Sequence, residues 1–225
     1  MIFKIVVQST AWIGFMALWL FLPAGNWNWP QGWAFIAIFT LGSAAFVAWL
    51  LRRDPALLAS RMDVSQRASQ PLWDRVFLLV FISFWFFWLA FMAAETQRWH
   101  WSHMPLWLDV VGGLLIVAGF AATMPVFAAN SFAAPVIEVQ EARGQRAIDS
   151  GPYALVRHPM YAASSLYLIG MPLLLGSWLG LIGTAAFLIG VSIRAIGEER
   201  KLARELPGYG DYMARVRWRL VPYVW

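Results

Sequence analysis

The sequence contains no cysteine and few charged residues. Without cysteine the chain can form no disulfide, no thiolate metal site and no cysteine nucleophile. Charged residues make up 13% of its 225 residues, about half the share of roughly 25% that is usual in soluble proteins. Hydrophobic residues make up 60% of the chain, and its mean hydropathy is +0.60. This composition predicts an integral membrane protein.

Acidic residues are also scarcer than basic ones, at 12 against 17, which gives a net charge of +5. The basic residues flank apolar segments, as expected beside an anionic membrane surface rather than on a nucleic-acid-binding face. We therefore expect membrane lipids as partners, with no nucleic acid and no metal ion. His100 and His103 have metal-like spacing, but no third ligand is evident near them in the sequence, so interfacial side chains are the better interpretation.

Apolar runs of about the 20 residues needed to cross a bilayer occur at 3–22, 31–51, 73–94 and 106–129. The first run is too long for the apolar core of a signal peptide and predicts a retained helix. A fifth run, 160–197, is too long for one helix and is interrupted at Gly176-Ser177. It predicts a helical hairpin whose short first arm bends near Pro172 and whose second arm ends at 194–200.

The fold class that follows is an all-α, polytopic helical membrane bundle of five to six transmembrane segments. It ends in a C-terminal helical hairpin and carries a small cytoplasmic region for a cofactor. We expect residues 1–129 to form a transmembrane scaffold with possible access for a substrate, and residues 130–225 to form the catalytic region.

The positions of lysine and arginine predict the orientation. All of them except Arg98 fall on one side of the predicted bundle, which the positive-inside rule makes cytoplasmic, with both termini inside. The Trp-rich segments 26–30 and 99–103 fall on the opposite side, as interfacial belts do. Segment 52–72 predicts an amphipathic helix on the inner surface. We place the protein in the bacterial inner membrane, with its active site on the cytoplasmic side.

Two polar clusters interrupt the apolar pattern on that side. Residues 151–161, Gly-Pro-Tyr-Ala-Leu-Val-Arg-His-Pro-Met-Tyr, precede the hairpin, and Glu198-Glu199 follow it about forty residues later. The two arms of a hairpin begin and end on the same side, so the clusters should meet. Arg194 and Glu198 are four residues apart on one helix face and can pair. Adjacent glutamates project about 100° apart, so one should face the bundle or a pocket and the other the surface or an interface.

Together the clusters offer cations, carboxylates and phenol rings. This mixture suits a zwitterionic cofactor with an amino group, a carboxylate, ribose hydroxyls and a sulfonium. His158 is the candidate general base because its ordinary pKa suits proton transfer at neutral pH. Asn130, where the fourth long apolar run ends, either caps a helix or lines the acceptor path.

These motifs, with the tail from Glu205 to Pro222, make residues 130–225 resemble the isoprenylcysteine carboxyl methyltransferase family and the related phospholipid methyltransferases. The resemblance implies S-adenosylmethionine as methyl donor, S-adenosylhomocysteine as product, and an acceptor that enters laterally from the membrane. By analogy the cofactor residues are Gly151, Tyr153, His158, Pro159, Tyr161, Glu198 and Glu199. His158 and Arg157 are then the catalytic candidates, and Asn130 and Arg194 the substrate candidates.

The acceptor stays open between a carboxylate, an amine and a thiol, carried by a lipophilic or a small molecule. No Gly-x-Gly element typical of the phospholipid enzymes is clear, because Gly112, Gly113 and Gly119 are better explained as helix-packing positions. Two alternative functions are an NADPH-dependent membrane reductase similar to the steroid reductases, and a non-enzymatic membrane subunit. The basic, aromatic segment 215–225 is either a membrane-surface anchor or a lid over the cofactor.

Overall fold

The computed structural model describes residues 2–62, 72–133 and 144–225. Within these ranges the chain is helical and contains no β-strand, which confirms the all-α prediction. The helices are α1 (Ile2–Ala24), α2 (Pro30–Arg53), α3 (Pro55–Met62), α4 (Leu72–Gln97), α5 (Leu106–Ala129), α6 (Pro159–Leu175), α7 (Gly180–Glu205) and α8 (Tyr209–Arg215), with a 3₁₀ turn at Gly151–Ala154.

Four of these helices, α2, α4, α5 and α7, are long and apolar enough to cross a membrane. Helix α6 and the Thr10–Ala24 part of α1 are apolar but shorter. The helices coincide with the predicted apolar runs to within a few residues at most ends, because hydropathy over some twenty residues is a strong local signal. The chain is a polytopic helical membrane protein.

The predicted surface helix at 52–72 is represented by α3, and residues 63–71 lie outside the described part of the chain. Asp54 ends α2 and starts α3, since its carboxylate accepts a hydrogen bond from the Leu57 N–H at 2.9 Å. Leu57 is fully buried in a cluster that includes Leu50 and Phe127. Arg61 donates to the Ala133 carbonyl at 2.8 Å, so α3 is fixed against the ends of α2 and α5.

The hairpin turns at the predicted place. Gly176 ends α6 with φ of 78°, a left-handed conformation that favours glycine. Ser177 then accepts a hydrogen bond from the Gly180 N–H at 2.8 Å and starts α7. The predicted end of the second arm at 194–200 is wrong, because α7 continues to Glu205. No strong helix breaker follows until Pro207, so the two glutamates lie inside a helix rather than at its end.

Helices α5 and α6 approach each other backbone to backbone. A methyl group added to Gly170 would lie 2.6 Å from the Gly112 carbonyl oxygen, and one added to Gly119 would meet the ring of Tyr167. Gly113 faces Ile38. These contacts confirm the interpretation of the three α5 glycines as packing positions, since small residues allow membrane helices to approach closely.

The main hydrophobic core lies near the α6–α7 turn. Side chains from α1, α2, α4, α5, α6 and α7 meet there, among them Phe35, Met92 and Leu175. At the opposite end of the bundle lie the end of α5, the 3₁₀ turn, the start of α6, the last part of α7, helix α8 and the C-terminal segment. We call this the polar end, and both candidate clusters lie there.

Candidate functional site

The segment that leads into α6 is held by the C-terminal part of the chain. The backbone N–H groups of Arg157 and His158 donate to the carbonyls of Trp218 and Arg219, each at 2.9 Å. Pro159 occupies the first turn of α6, where its missing N–H costs no helix hydrogen bond. The segment after α8 is therefore paired to the site loop, and its basic residues contribute directly to the site.

Glu199 is at the centre of a buried ionic cluster. Its Oε1 accepts from the Arg157 Nε at 2.6 Å and lies 3.2 Å from the His158 Nε2, while its Oε2 accepts from the Arg219 Nε at 2.9 Å. The Arg157 guanidinium also donates to the Val216 carbonyl at 2.8 Å. With 5% of its side chain exposed, Glu199 ties α7, the site loop and the C-terminal segment together.

Glu198 has a different environment. Its Oε2 accepts a hydrogen bond from the Tyr161 hydroxyl at 2.8 Å and lies 3.9 Å from the His158 Nδ1. Its side chain is 27% exposed and lines a cavity. Glu198 is therefore the glutamate that faces the cavity, while the Arg219 side chain and the C-terminal segment cover Glu199.

The cavity at the polar end has a volume of 780 Å³, its open mouth included. It is bounded by the end of α5, the 3₁₀ turn, the start of α6, the last part of α7, and α8. The residues predicted from the sequence that line it are Asn130, Tyr153, Arg157, His158, Pro159, Tyr161 and Glu198. Gly151, Arg194 and Glu199 do not line it. Gly151 begins the 3₁₀ turn with φ of 57°, and so shapes the loop rather than the cavity wall.

The structure adds cavity residues that the sequence analysis did not assign to the site. Arg146 lies in the wall and is exposed. Tyr209 and Tyr212 of α8 line the wall with ring centroids 5.5 Å apart. Burial raises the pKa of both phenols, so both stay protonated. Their i, i+3 spacing on a short helix after Pro207-Gly208 was the available signal.

Asn130 caps the end of α5 and also lines the cavity. Its Oδ1 accepts from the Phe132 N–H at 2.9 Å just beyond α5, and its Nδ2 donates to the Tyr153 hydroxyl at 2.9 Å. The Tyr212 hydroxyl donates to the Tyr153 carbonyl at 2.9 Å. Burial raises the pKa of Tyr153 to about 12, against a partial opposing effect of the Asn130 hydrogen bond. The phenol is therefore a neutral group in the cavity wall at physiological pH.

Arg194 lies just behind this wall. Its Nε and Nη2 donate to the two carboxylate oxygens of Asp74 at 3.0 and 3.4 Å, and its Nη1 donates to the Tyr161 hydroxyl at 2.9 Å. The considered pairing of Arg194 with Glu198 thus runs through Tyr161, which bonds to both. Asp74, at the start of α4, was not among the predicted site residues, and no sequence spacing relates it to Arg194, 120 residues later.

A second space, an apolar groove, lies beside the cavity near Tyr161. It lies between α4, α6 and α7 and has a volume of 840 Å³, open side included. Its wall is mostly Phe, Leu, Met and Trp side chains, with Arg194 at one position. Met160 and Tyr161 line both the groove and the polar cavity. The groove and the cavity are therefore adjacent at these two residues.

A comparison with known protein families finds a match that covers most of the predicted site residues. Residues 107–208 match the family model described as phospholipid methyltransferase (PEMT). No curated protein matches the sequence significantly. The matched range runs from α5 into the turn before α8, and it includes the 151–161 loop, the hairpin and both glutamates.

The match confirms the resemblance carried by those motifs: residues 107–208, slightly less than half of the chain, are similar to the phospholipid methyltransferase family. This similarity and the apolar helices fit a methyltransferase in a membrane.

Proposed function

We propose that the protein transfers a methyl group from S-adenosylmethionine to a lipophilic acceptor at the junction of the polar cavity and the apolar groove. The observation that carries the proposal is the pair Met160 and Tyr161, which lines both spaces. A methyltransferase of this kind must bring a polar, charged cofactor against a molecule that resides in the bilayer. The two spaces have those opposite characters and share a wall.

The cavity residues fit S-adenosylmethionine by their chemistry. The Glu198 carboxylate suits an ammonium group or ribose hydroxyls, and the exposed Arg146 in the cavity wall suits the carboxylate of an amino acid. The phenol rings of Tyr153, Tyr209 and Tyr212 suit adenine or a sulfonium.

We assign the predicted residues to two roles. The cofactor would contact five predicted residues that line the cavity: Tyr153, His158, Pro159, Tyr161 and Glu198. Three other predicted residues would hold the site loop in place. Gly151 turns the loop, and Arg157 and Glu199 hold it to α7 and the C-terminal segment. Although Arg157 also borders the cavity, its guanidinium is bonded to Glu199 and to backbone carbonyls, so we assign it to positioning rather than to the chemical step.

Bound S-adenosylmethionine supplies an electrophilic methyl group on a sulfonium, and the C–S bond electrons remain on sulfur as S-adenosylhomocysteine leaves. The protein needs no covalent step for such an in-line displacement. Its contribution is to hold the acceptor atom about 3–3.5 Å from the methyl carbon and to exclude water. Pro159 and the tail contacts hold the loop, and the buried rings of His158 and Tyr161, 5.4 Å apart, form a wall for this placement.

Proton handling depends on the acceptor. A carboxylate acceptor has no proton to lose, whereas an amine or thiol would give one to His158, whose imidazole lies between the two glutamates. Asn130 borders the cavity and Arg194 borders the groove. We therefore propose Arg194 as the acceptor residue on the membrane side and Asn130 as a cavity residue that orients Tyr153.

Isothermal titration calorimetry on the detergent-solubilised protein tests the cofactor assignment. We expect S-adenosylhomocysteine to bind and NADPH not to bind, because the described residues that line the cavity include one carboxylate and several phenols rather than a row of phosphate-binding cations. Binding of NADPH alone would overturn the proposal in favour of a membrane reductase. Binding of neither would favour a non-enzymatic subunit.

The acceptor class is tested on membranes that contain the protein, incubated with S-adenosylmethionine labelled in its methyl group. We expect the label in the lipid extract, and a loss of most labelling when Glu198 is replaced by Gln. Base treatment then separates methyl esters, which release labelled methanol, from N-methyl and S-methyl products, which do not. Label confined to water-soluble products would contradict a lipophilic acceptor.

A further inference from the structure

A buried carboxylate outside the family-matched range forms hydrogen bonds with a residue next to the cavity wall. Asp74, in the first turn of α4, has 0% of its surface exposed. Arg194 donates to both of its carboxylate oxygens. Taking an acid and a base out of water is costly, and an apolar pair of similar size would usually serve stability as well. A buried pair at this position therefore calls for a role besides stability.

The pair continues into the cofactor cavity through two further hydrogen bonds. Arg194 donates to the Tyr161 hydroxyl at 2.9 Å, and that hydroxyl donates to Glu198 at 2.8 Å. The direction of each bond is fixed because a guanidinium can only donate and a carboxylate can only accept. The chain Asp74–Arg194–Tyr161–Glu198 thus joins α4, α7 and α6, and it passes from the wall of the groove to the wall of the cavity.

Asp74 and Glu198 are the two carboxylates at the ends of this chain, with one guanidinium between them. Arg194 and Glu198 lie four residues apart on α7, a spacing that allows a direct ion pair. The charge of Asp74 attracts the guanidinium towards α4, while the Tyr161 hydroxyl lies between Arg194 and Glu198. Without that charge, Glu198 is the other carboxylate in this series of hydrogen bonds.

We propose that Asp74 is a positioning residue: it holds Arg194 away from Glu198 and so keeps the Glu198 carboxylate available to the cofactor. This inference rests on the proposed function, since it takes Glu198 as a cofactor ligand. Under this proposal α4, a helix of the N-terminal half, contributes to the affinity for the cofactor.

The test measures S-adenosylhomocysteine affinity by calorimetry in detergent, together with the thermal unfolding midpoint. We expect Asp74→Asn to weaken binding about tenfold, the effect of one lost charge-assisted hydrogen bond. Asp74→Glu keeps the charge and should bind within about threefold of the unmodified protein. Asp109→Asn is the matched control, because Asp109 is a buried carboxylate bonded to Gln31 in the same bundle, and we expect it to leave the affinity unchanged.

The double variant Asp74→Asn, Arg194→Gln distinguishes positioning from a structural role. Without the guanidinium, Arg194 no longer competes for Glu198, so affinity should return to within about threefold of the unmodified protein. The double variant also removes both charged members of the buried pair, which keeps the test valid if Asp74→Asn alone does not fold. Unchanged affinity in Asp74→Asn, or a tenfold loss that persists in the double variant, would overturn the inference. Absence of binding by the unmodified protein would instead overturn the proposed function, and this inference with it.

Discussion

Glu198 and Glu199 are neighbours in the sequence, yet they contact different groups. The Glu198 carboxylate lines the polar cavity and accepts from Tyr161, whereas Glu199 is buried between Arg157, His158 and Arg219. Both are on α7, and the rotation of about 100° between adjacent helical residues separates their directions. The residue that faces the ligand and the residue that holds the loop are therefore adjacent in the chain.

Substitution by glutamine should separate these two roles. Glu198→Gln should weaken S-adenosylhomocysteine binding about tenfold with little change in thermal stability, since its side chain is partly exposed. Glu199→Gln leaves two buried or half-buried guanidinium groups without their carboxylate, and should lower the free energy of unfolding by about 3 kcal/mol. Calorimetry and thermal unfolding in one detergent measure both. Equal losses of stability in the two variants would contradict the division of roles.

At the scale of elements, the contact between α5 and α6 positions two parts of the cavity wall. Gly112 and Gly170 allow the two backbones to touch, so that Asn130 at the end of α5 and the 151–161 loop before α6 face one cavity. Helix α7 then returns along the hairpin, and its last turns bring the glutamates to that cavity. Close packing of α5 against α6 thus holds these two parts of the cavity wall together.

A single added methyl group tests this contact. Gly112→Ala would place its Cβ against the backbone of Leu174 and Gly170, and we expect a loss of about 1–3 kcal/mol in stability from overpacking. Gly14→Ala is the control, because a Cβ on Gly14 meets nothing within 4 Å, and removing a glycine from a helix interior is neutral to stabilising. Thermal unfolding in detergent measures both. An unfolding midpoint for Gly112→Ala equal to that of Gly14→Ala would show that the helices do not touch there.

At the scale of the whole molecule, the two ends of the bundle differ in charge and in structure. The main core and the tryptophan-rich loops lie towards the α6–α7 turn, and the cavity and most of the basic residues lie at the polar end. The positive-inside rule predicts that the polar end is cytoplasmic, where the proposed water-soluble methyl donor would be available.

The orientation can be measured because the native chain has no cysteine to interfere. Trp101→Cys and Tyr223→Cys each introduce one thiol at an exposed position, 62% and 86% exposed respectively, near opposite ends of the bundle. In intact bacterial cells made permeable only at the outer membrane, a membrane-impermeant maleimide should label Trp101→Cys and not Tyr223→Cys. Inverted membrane vesicles should give the opposite pattern. Labelling of both variants from one side would contradict the predicted topology.

Much of the fold was predictable from the sequence because its signals are local. The long apolar runs predicted the membrane helices, and Gly176-Ser177 predicted the hairpin turn because glycine can take the left-handed conformation observed there. The convergence of the 151–161 loop with the glutamates followed from hairpin connectivity alone. The end of α7 was misplaced because a polar stretch resembles a helix end when only hydropathy is considered.

The sequence by itself determined the class of protein, the helices, the family motifs and the two polar clusters. Each of these depends on residues that are close together in the chain or on composition. Only the tertiary structure decided which glutamate faces the cavity, that Arg219 returns to Glu199, and that Asp74 pairs with Arg194. Those contacts depend on how helices rotate and pack against partners 20 to 120 residues away. The free energy of such packing is shared by the whole bundle and has no local signature.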